Sequence, residues 1–410
     1  MSEWKKVKLG DVCEITSSKR IFMSDYVDQG IPFYRSKEIA ELQNGDSIST
    51  PFFISKEKYE DIKAKYGIPQ KGDLLLTAIG ATLGIPFVIK DNSPFYFKDG
   101  NLIWFKCFDE NYDSSFLYYW MLTDFGYQSM LNVAIGSAQK ALTISALKGL
   151  EITFPSVTIQ HRIATILSRY DSLIENYQKQ IKLLEEAAQR LYKEWFVDLR
   201  FPGHENTKIV DGVPEGWEKN TISNVCTMIS SGSTPSRNNK SYWENGTIKW
   251  VKTKELYDSW ILDTEEYITQ EGYNNSSTKI FPANTILMAI YASPTLGRLG
   301  ILSTECCCNQ AALGLIADEK IISWQWLFWK LYELRDEFNA IARGAGQQNI
   351  SGIVVKNKEI IIPTKGIIDS FTSIVSNMFE QQKHLTSQIR LLTEARDRLL
   401  PKLMNGEIEV

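Results

Sequence analysis

Two long stretches of the chain place apolar residues at alternating spacings of three and four, the a/d pattern of helices that pair with one another. In the first stretch these positions are Ile163, Ile166, Tyr170, Leu173, Tyr177, Gln180, Leu184, Ala187 and Leu191. The second stretch repeats the pattern 208 residues later, at Phe371, Ile374, Met378, Gln381, Leu385, Gln388, Leu392, Ala395 and Leu399. Glutamine interrupts both seams at the same place, Gln180 and Gln388, where a polar residue can fix the register.

A single amphipathic helix of this length cannot bury its whole seam against one small domain, so we predict that the two helices pair with each other. If the intervening segment returns the chain to the far end, the pair is an antiparallel coiled coil and the two halves are related by a pseudo-two-fold axis. The alternative is that each helix packs only on its own domain.

Shorter patterns between the long helices predict a mixture of strands and helices. Apolar runs bounded by turn residues predict strands at 74–77, 149–154, 285–288 and 359–362. Amphipathic patterns predict helices at 114–130, with Ser114 as the N-cap, and at 323–341. Strands do not alternate regularly with helices, which favours an α+β class over a doubly wound parallel sheet.

The chain contains an internal repeat of a domain followed by a long helix. Residues 31–39 correspond to 248–256, and residues 180–187 correspond more closely to 388–395. The predicted segments are a first domain at 1–156, a central helix at 157–200, a linker at 201–213, a second domain at 214–364 and a C-terminal helix at 365–410. The helices repeat better than the domains, which indicates one shared task for the helices and different tasks for the domain surfaces.

Charge and composition exclude several classes of protein. The formal net charge is −4, so this is not a uniformly basic protein that coats nucleic acid. No apolar run reaches the roughly 20 residues that span a bilayer, and the first ten residues do not form a signal peptide. We therefore expect a cytoplasmic protein that contacts no membrane.

The side chains that usually carry catalysis or bind metals are not arranged for it here. Cys306, Cys307 and Cys308 are adjacent, a spacing that fits neither tetrahedral zinc nor a disulfide framework, and we expect small buried side chains on a strand. The three histidines have no metal-binding spacing. No phosphate-binding loop, dinucleotide-binding motif, nucleophile elbow or methyltransferase motif occurs. The sequence thus predicts a non-catalytic protein with no catalytic residues and no metal site.

Polar loops in matching places of the two halves are the candidate binding residues. Small hydroxyl residues and cations suit phosphates, and Gln, Asn and Arg suit base edges. In the first half the DNA-binding candidates are Ser17, Ser18, Lys19, Arg20, Arg35, Lys37, Gln139 and Lys140. In the second half they are Ser233, Thr234, Ser236, Arg237, Lys252, Lys254, Arg343, Gln347, Gln348 and Asn349. Arg35 and Lys37, like Lys252 and Lys254, would share one face of a strand.

Three segments of the chain resemble the specificity subunit of type I restriction–modification systems. Residues 232–256 are similar to the opening of that family's target-recognition domain, residues 191–198 to the end of its central helix, and residues 399–408 to its C-terminal ending. In the first half, Ser17-Ser18-Lys19-Arg20 departs from the Gly-x-Thr-Pro form of residues 232–235.

The resemblance implies a fold of two tandem target-recognition domains and a function in reading double-stranded DNA. Each domain would read one half of a bipartite target, and the paired helices would set the spacing and dock two modification subunits. This chain would bind no cofactor. The partners would bring S-adenosylmethionine for adenine-N6 methylation, and two restriction subunits would bring ATP and Mg²⁺ for cleavage.

Two other functions remain compatible with the residues alone. One is a self-contained enzyme with its own S-adenosylmethionine site, which tight cofactor binding by the isolated chain would reveal. The other is a scaffold built on the paired helices that makes no contact with DNA.

Overall fold

The computed structural model describes residues 4–45, 48–136, 140–291, 295–344 and 349–410, with only the backbone of residues 343 and 344. The chain divides into two units. Unit 1 comprises Met1–Glu175 and Leu391–Val410, and unit 2 comprises Asn176–Arg390. Each unit therefore contains one globular half together with part of each long helix.

Unit 1 is built from two four-stranded sheets and one short strand pair. Its strands are β1 (Lys5–Lys8), β2 (Glu14–Thr16), β3 (Tyr26–Val27), β4 (Ile31–Tyr34), β5 (Phe53–Ile54), β6 (Leu74–Thr77), β7 (Pro86–Val88), β8 (Tyr96–Phe97), β9 (Leu102–Lys106) and β10 (Glu151–Phe154). Its helices are α1 (Leu9–Val12), α2 (Ser36–Asn44), α3 (Lys56–Tyr66), α4 (Ser114–Leu122), α5 (Asp124–Val133), α6 (Ile144–Gly149) and the first part of α7 (Val157–Tyr192). The sheet orders are β2-β9-β6-β7, β3-β5-β4-β8 and β1-β10.

Unit 2 repeats this plan with a longer main sheet. Its strands are β11 (Ile209–Val210), β12 (Val213–Pro214), β13 (Glu218–Thr221), β14 (Cys226–Ser231), β15 (Ile248–Val251), β16 (Ser259–Ile261), β17 (Glu266–Ile268), β18 (Ile286–Ala289), β19 (Leu299–Leu302), β20 (Cys307–Cys308), β21 (Ala312–Ala317) and β22 (Glu359–Ile362). Its helices are α8 (Gln270–Asn274), α9 (Trp324–Glu333), α10 (Arg335–Gly344), α11 (Gly352–Lys356) and most of α12 (Lys365–Met404). The orders β14-β21-β18-β19-β16, β17-β15-β20 and β13-β22 match those of unit 1, and β11-β12 is a hairpin.

The predicted strands are all present, and the two shorter predicted helices are each divided. In unit 1 the helix breaks at Thr123, whose side chain caps α5 by accepting from the amide of Gly126. The N-cap of α4 is Asp113, which accepts from the amide of Phe116 at 2.8 Å, so the prediction of Ser114 as N-cap was wrong. Aspartate is as good an N-cap as serine, and the sequence offers both side by side.

The two long helices run antiparallel to each other. Within unit 1, Asp171 of α7 contacts Arg396 of α12 at 2.7 Å. Within unit 2, the rings of Tyr192 and Phe371 lie 6.1 Å apart, so a later residue of α7 meets an earlier residue of α12. The prediction that the helices pair is thereby confirmed. After Tyr192 the chain adds a short π-helix, Lys193–Val197.

The buried stripe of each long helix lies one residue away from much of the predicted seam. Buried positions next to the predicted seam include Ala164, Leu167, Ala188 and Tyr192 on α7 and Val375, Phe379 and Leu400 on α12. Ile163 and Phe371 lie on the predicted seam and are buried as well. Leu173, Gln180 and Ala187 are exposed, so neither Gln180 nor its neighbours form the predicted polar interruption. Each helix packs on its own globular half as well as on its partner. The buried face is therefore rotated from the face that the a/d spacing alone suggests.

A polar cluster fixes the helix pair in unit 1. Arg396 Nη1 donates to Asp171 Oδ1 at 2.7 Å, and the hydroxyl of Tyr119 donates to Asp171 Oδ2 at 2.5 Å. The positions 208 residues away, Phe379 and Ala188, are both buried in the core of unit 2. Equivalent helix positions are thus joined by an ion pair in one unit and lie in an apolar core in the other.

Candidate nucleic-acid interface

The first predicted loop of unit 1 leaves β2 and presents two cations. The hydroxyl of Ser17 donates to the carbonyl of Leu102 at 3.2 Å, and Ser18 is buried. Lys19 and Arg20 are exposed, and neither forms an ion pair with a described carboxylate. The two serines therefore anchor the loop to the sheet, and the cations are the groups available to a ligand.

The second predicted group of unit 1 lies at the start of α2, so the prediction that Arg35 and Lys37 share a strand face was wrong. Arg35 is the N-cap of α2, and Lys37 lies in its first turn. The guanidinium of Arg35 pairs with Glu38 at 2.6 Å and lies 4.1 Å from the ring centre of Phe52. A capping sequence of this kind starts a helix directly after β4, which ends the strand geometry.

The matching first loop of unit 2 is tied to its surroundings more tightly. Thr234 donates to the side chain of Gln310, and Ser233 accepts from Ser277 at 2.9 Å. The guanidinium of Arg237 lies 3.6 Å from the ring centre of Trp243 and pairs with Glu266 at 2.5 Å. Arg237 is thus held against a tryptophan face, with its charge already compensated.

Two glutamates of unit 2 hold the second predicted cation pair. Lys252 contacts Glu266 at 2.5 Å and Glu265 at 3.0 Å, and Lys254 contacts Glu265 at 2.6 Å. Hydrogen bonds from Lys254 and then Lys252 hold the pKa of the Glu265 carboxyl below its usual value. Burial opposes ionisation of Glu266, but Lys252 and Arg237 outweigh it and lower the pKa of this carboxyl too.

Lys252 and Lys254 also lie at a helix start and not on a strand, which corrects the second half of that prediction. Lys252 is the N-cap of a 3-10 turn, Thr253–Glu255, and its amide donates to Glu255 at 2.8 Å. The equivalent positions Arg35 and Lys252 are therefore both N-caps. The two units place these cations in the same way and neutralise them with different carboxylates.

The third predicted group is only partly described. Gln139, Gln347 and Gln348 lie outside the described residues, as does the side chain of Arg343. Lys140 is exposed and precedes Ala141, which forms a bridge to Ile79 just after β6. Asn349 forms a bridge to Tyr291, just after β18. Since β6 and β18 are equivalent strands, the two loops return to the same place in each unit.

Sequence reasoning missed two kinds of residue near these loops. Glu265 and Glu266 neutralise the cations of unit 2, and no local pattern links them to Lys252. Phe22 and Met23 are exposed apolar residues that follow Arg20 and the buried Ile21. The sequence contains a signal for them, because three apolar residues, Ile21, Phe22 and Met23, follow the Lys19-Arg20 pair.

Three features of the described part of the chain concern metal binding, cysteine reactivity and membrane spanning. No group of three or more metal-ligating side chains comes together there. Cys306, Cys307 and Cys308 are free and buried, as expected, and burial raises the pKa of the Cys308 thiol to about 12. Among the helices of the described residues, none is both long and apolar enough to cross a membrane.

We expect Glu265→Gln to strengthen binding of the chain to duplex DNA and to steepen its salt dependence. If Lys254 binds a phosphate, it must first leave Glu265, and the loss of that ion pair offsets the gain from releasing a counterion. Without the Glu265 carboxylate, Lys254 should steepen the plot of the log of the DNA-binding constant against the log of the salt concentration by about 0.9. The matched control is Glu271→Gln, which removes the same charge from an exposed residue of α8 with no ion pair in the described structure. Equal slopes for the two variants would show that Lys254 does not contact phosphate.

Comparison with known proteins identifies both halves of the chain as copies of one domain. The family model for the type I restriction modification DNA specificity domain matches residues 1–186 and 214–391. The specificity subunit of the type I restriction enzyme MjaIX of Methanocaldococcus jannaschii is 27% identical over 420 residues, covering 100% of this chain and 94% of that protein. The HindI specificity subunit of Haemophilus influenzae is 24% identical, with 100% of both chains covered.

A solved structure has the same fold. The S subunit of the type I restriction–modification system of M. genitalium superposes with a TM-score of 0.63 at 16% identity, covering 98% of this chain and 96% of that chain. At this identity the similarity concerns the fold alone. The family model, in contrast, accounts for most of the sequence in two copies. The chain therefore belongs to the type I restriction–modification DNA specificity family and is a DNA-recognition subunit of that class of system.

Proposed function

We propose that the two units read the two halves of a split DNA target, one half each. The observation that carries this proposal is the matched placement of unlike loops. Cations lie at equivalent N-cap positions in both units, as Arg35 and Lys252, and the loops that contain Lys140 and Asn349 return beside equivalent strands. The same scaffold thus presents different side chains twice, which suits two readers of different base sequences.

The chain contributes recognition, and its partners contribute catalysis. Two modification subunits would bring S-adenosylmethionine for adenine-N6 methylation, and two restriction subunits would bring ATP and Mg²⁺ for translocation and cleavage. The lack of a metal-ligating cluster in the described residues is compatible with this division. The net charge of −4 fits as well, because basic surfaces on the partners would supply the remaining attraction to DNA.

Two equivalent leucines support the proposed docking of two modification subunits. Leu183 of α7 is 64% exposed, and Leu391 of α12, which is 208 residues later, is 50% exposed. Large apolar side chains at equivalent positions of the two helices can give two copies of one partner the same anchor. In this proposal the helix pair has two functions, since it also sets the spacing between the half-sites.

The experiment that tests the two-reader proposal is hydroxyl-radical footprinting of the assembled complex on a duplex that it binds. We expect two protected stretches with an unprotected gap. Ala at Lys19 and Arg20 should weaken protection of one stretch, and Ala at Lys252 and Lys254 should weaken protection of the other, because phosphate contacts act locally. Equal weakening of both stretches by either variant would contradict the assignment of one half-site to each unit.

A further inference from the structure

Unit 1 exposes two large apolar side chains, Phe22 and Met23, in the loop that follows β2. Phe22 is 58% exposed and Met23 is 84% exposed, the highest value among the large apolar residues of the described chain. Leaving such surface in water forgoes roughly 25 cal/mol for every Å² that could have been buried. Contiguous exposed apolar surface is a feature of interaction sites on soluble proteins.

This apolar tip, Phe22 with Met23, is held by defined contacts. The amide of Phe22 donates to Asp25 Oδ2 at 2.9 Å, and the amide of Asp25 donates to the carbonyl of Phe22 at 2.9 Å. Lys58 of α3 reaches Asp25 Oδ1 at 3.3 Å and ties the turn to the body of unit 1. The backbone hydrogen bond from Phe22 is the main cause that lowers the pKa of Asp25, so the anchoring carboxylate is ionised at neutral pH.

Two exposed cations, Lys19 and Arg20, precede the apolar tip in the same loop. The guanidinium of Arg20 lies 5.5 Å from the ring centre of Phe22, and Lys19 Nζ lies 4.6 Å from the ring centre of Tyr66. Tyr66 is itself half exposed at the end of α3. Cations beside an apolar projection match a duplex, where phosphates border a groove whose floor is formed by stacked bases.

The equivalent loop of unit 2 has a different tip. Arg237 folds back onto Trp243 at 3.6 Å and Trp250 at 4.9 Å, and its neighbours at this tip, Ser236, Asn238 and Asn239, are polar. In unit 2 the aromatic rings thus hold an arginine, whereas in unit 1 an arginine flanks an exposed aromatic ring. An apolar contact made by unit 1 should have no equivalent at the other half-site.

We infer that Phe22 and Met23 form an apolar wedge that enters the DNA groove at the half-site read by unit 1 and partly unstacks one base step. Lys19 and Arg20 hold the flanking phosphates while the wedge is inserted. The inference rests on the proposed function, and it adds a distortion of the DNA at one half-site. Such distortion lets a protein distinguish flexible pyrimidine–purine steps from stiff ones without hydrogen bonds to the bases.

The test uses the full chain with its modification partners, no S-adenosylmethionine, and target duplexes in which 2-aminopurine replaces each purine of both half-sites in turn. Unstacking raises 2-aminopurine fluorescence, so we expect a signal at one step of a single half-site. Phe22→Ser with Met23→Ser should abolish that signal and weaken binding roughly tenfold. The salt dependence of the DNA-binding constant should stay unchanged, because the wedge binds no phosphate. Both side chains are exposed, so the fold should persist.

Control variants separate the possible outcomes. Val210→Ser changes an exposed apolar residue of the linker hairpin and should leave fluorescence and affinity unchanged. Ala at Lys19 and Arg20 should flatten the plot of the log of the binding constant against the log of the salt concentration by about 1.8. Suppose that the Lys19 and Arg20 variant weakens binding, while the Phe22 and Met23 variant matches the parent in DNA affinity and in 2-aminopurine fluorescence. The wedge is then refuted, and the proposal that unit 1 reads a half-site stands. If neither variant affects binding to DNA, the proposed function of unit 1 fails as well.

One further outcome would identify a different ligand for the tip. If the wedge variant retains full DNA binding and fluorescence but assembles poorly with the modification subunits, the tip contacts a protein and the inference is overturned. Analytical ultracentrifugation of the mixed subunits, without DNA, measures that assembly directly.

Discussion

Duplication of one heptad in both long helices should lengthen the unread gap of the target by about two or three base pairs and leave the two half-sites unchanged. The equivalent segments to duplicate are 176–182 in α7 and 384–390 in α12. Seven residues add roughly 10 Å of helix, and the heptad period keeps the buried stripe in phase. Binding should weaken, because the added base pairs also rotate one half-site about the DNA axis. Selection of bound duplexes from a random pool measures both the gap and the half-sites.

The matched control duplicates the heptad in α7 alone. The helix α7 is then one heptad longer than α12. The ion pair of Asp171 with Arg396 and the ring contact of Tyr192 with Phe371 therefore cannot both form. We expect this variant to be destabilised and to lose binding to the split target. A gap of unchanged length in the double duplication, or altered bases within either half-site, would show that the helix pair does not set the spacing.

Phe371→Ala should cost about 3–5 kcal/mol of unfolding free energy in unit 2. Phe371 is fully buried, and its ring lies 5.0 Å from Phe196, 6.1 Å from Tyr192 and 6.1 Å from Trp195. Truncation removes the ring that joins the end of α7 to α12 and leaves a cavity. Urea unfolding followed by tryptophan fluorescence reports on this site, because Trp195 is in the cluster.

Ile374→Ala is the matched control on the same helix. Ile374 and Phe371 both lie on the a/d seam that the sequence predicts, but Ile374 is 44% exposed. Its truncation in the isolated chain should change the unfolding free energy by less than about 0.5 kcal/mol. If Ile374→Ala lowers the unfolding free energy as much as Phe371→Ala does, Ile374 is buried as the heptad pattern predicts, which contradicts the structure.

The parts of the fold that the sequence predicted are those where a local pattern repeats over many residues. The two long helices, their pairing and the strands at 74–77 and 359–362 follow from periodicity and turn residues alone. The face that each helix buries did not follow. Adjacent residues on a helix differ by about 100° in direction, and the packing of distant rings such as those around Phe371 decides between them.

The sequence predicted exposed cations in the candidate loops, but it did not predict their ion pairs. The sequence placed cations and small polar residues in equivalent loops, and the structure finds Lys19, Arg20 and Lys140 exposed there. It could not show that Glu265 and Glu266 neutralise Lys252, because those carboxylates lie at the start of β17, more than ten residues away. Side-chain partners across a loop depend on tertiary structure, which residue type and spacing do not encode.

Sequencing of the methylated positions in the genome of a cell that contains this chain and its partner subunits distinguishes two separate half-sites from one continuous site. We expect one motif with two short defined blocks, separated by a gap of constant length in which every base is tolerated. A single contiguous motif with no such gap would contradict the conclusion that the two units read separate half-sites.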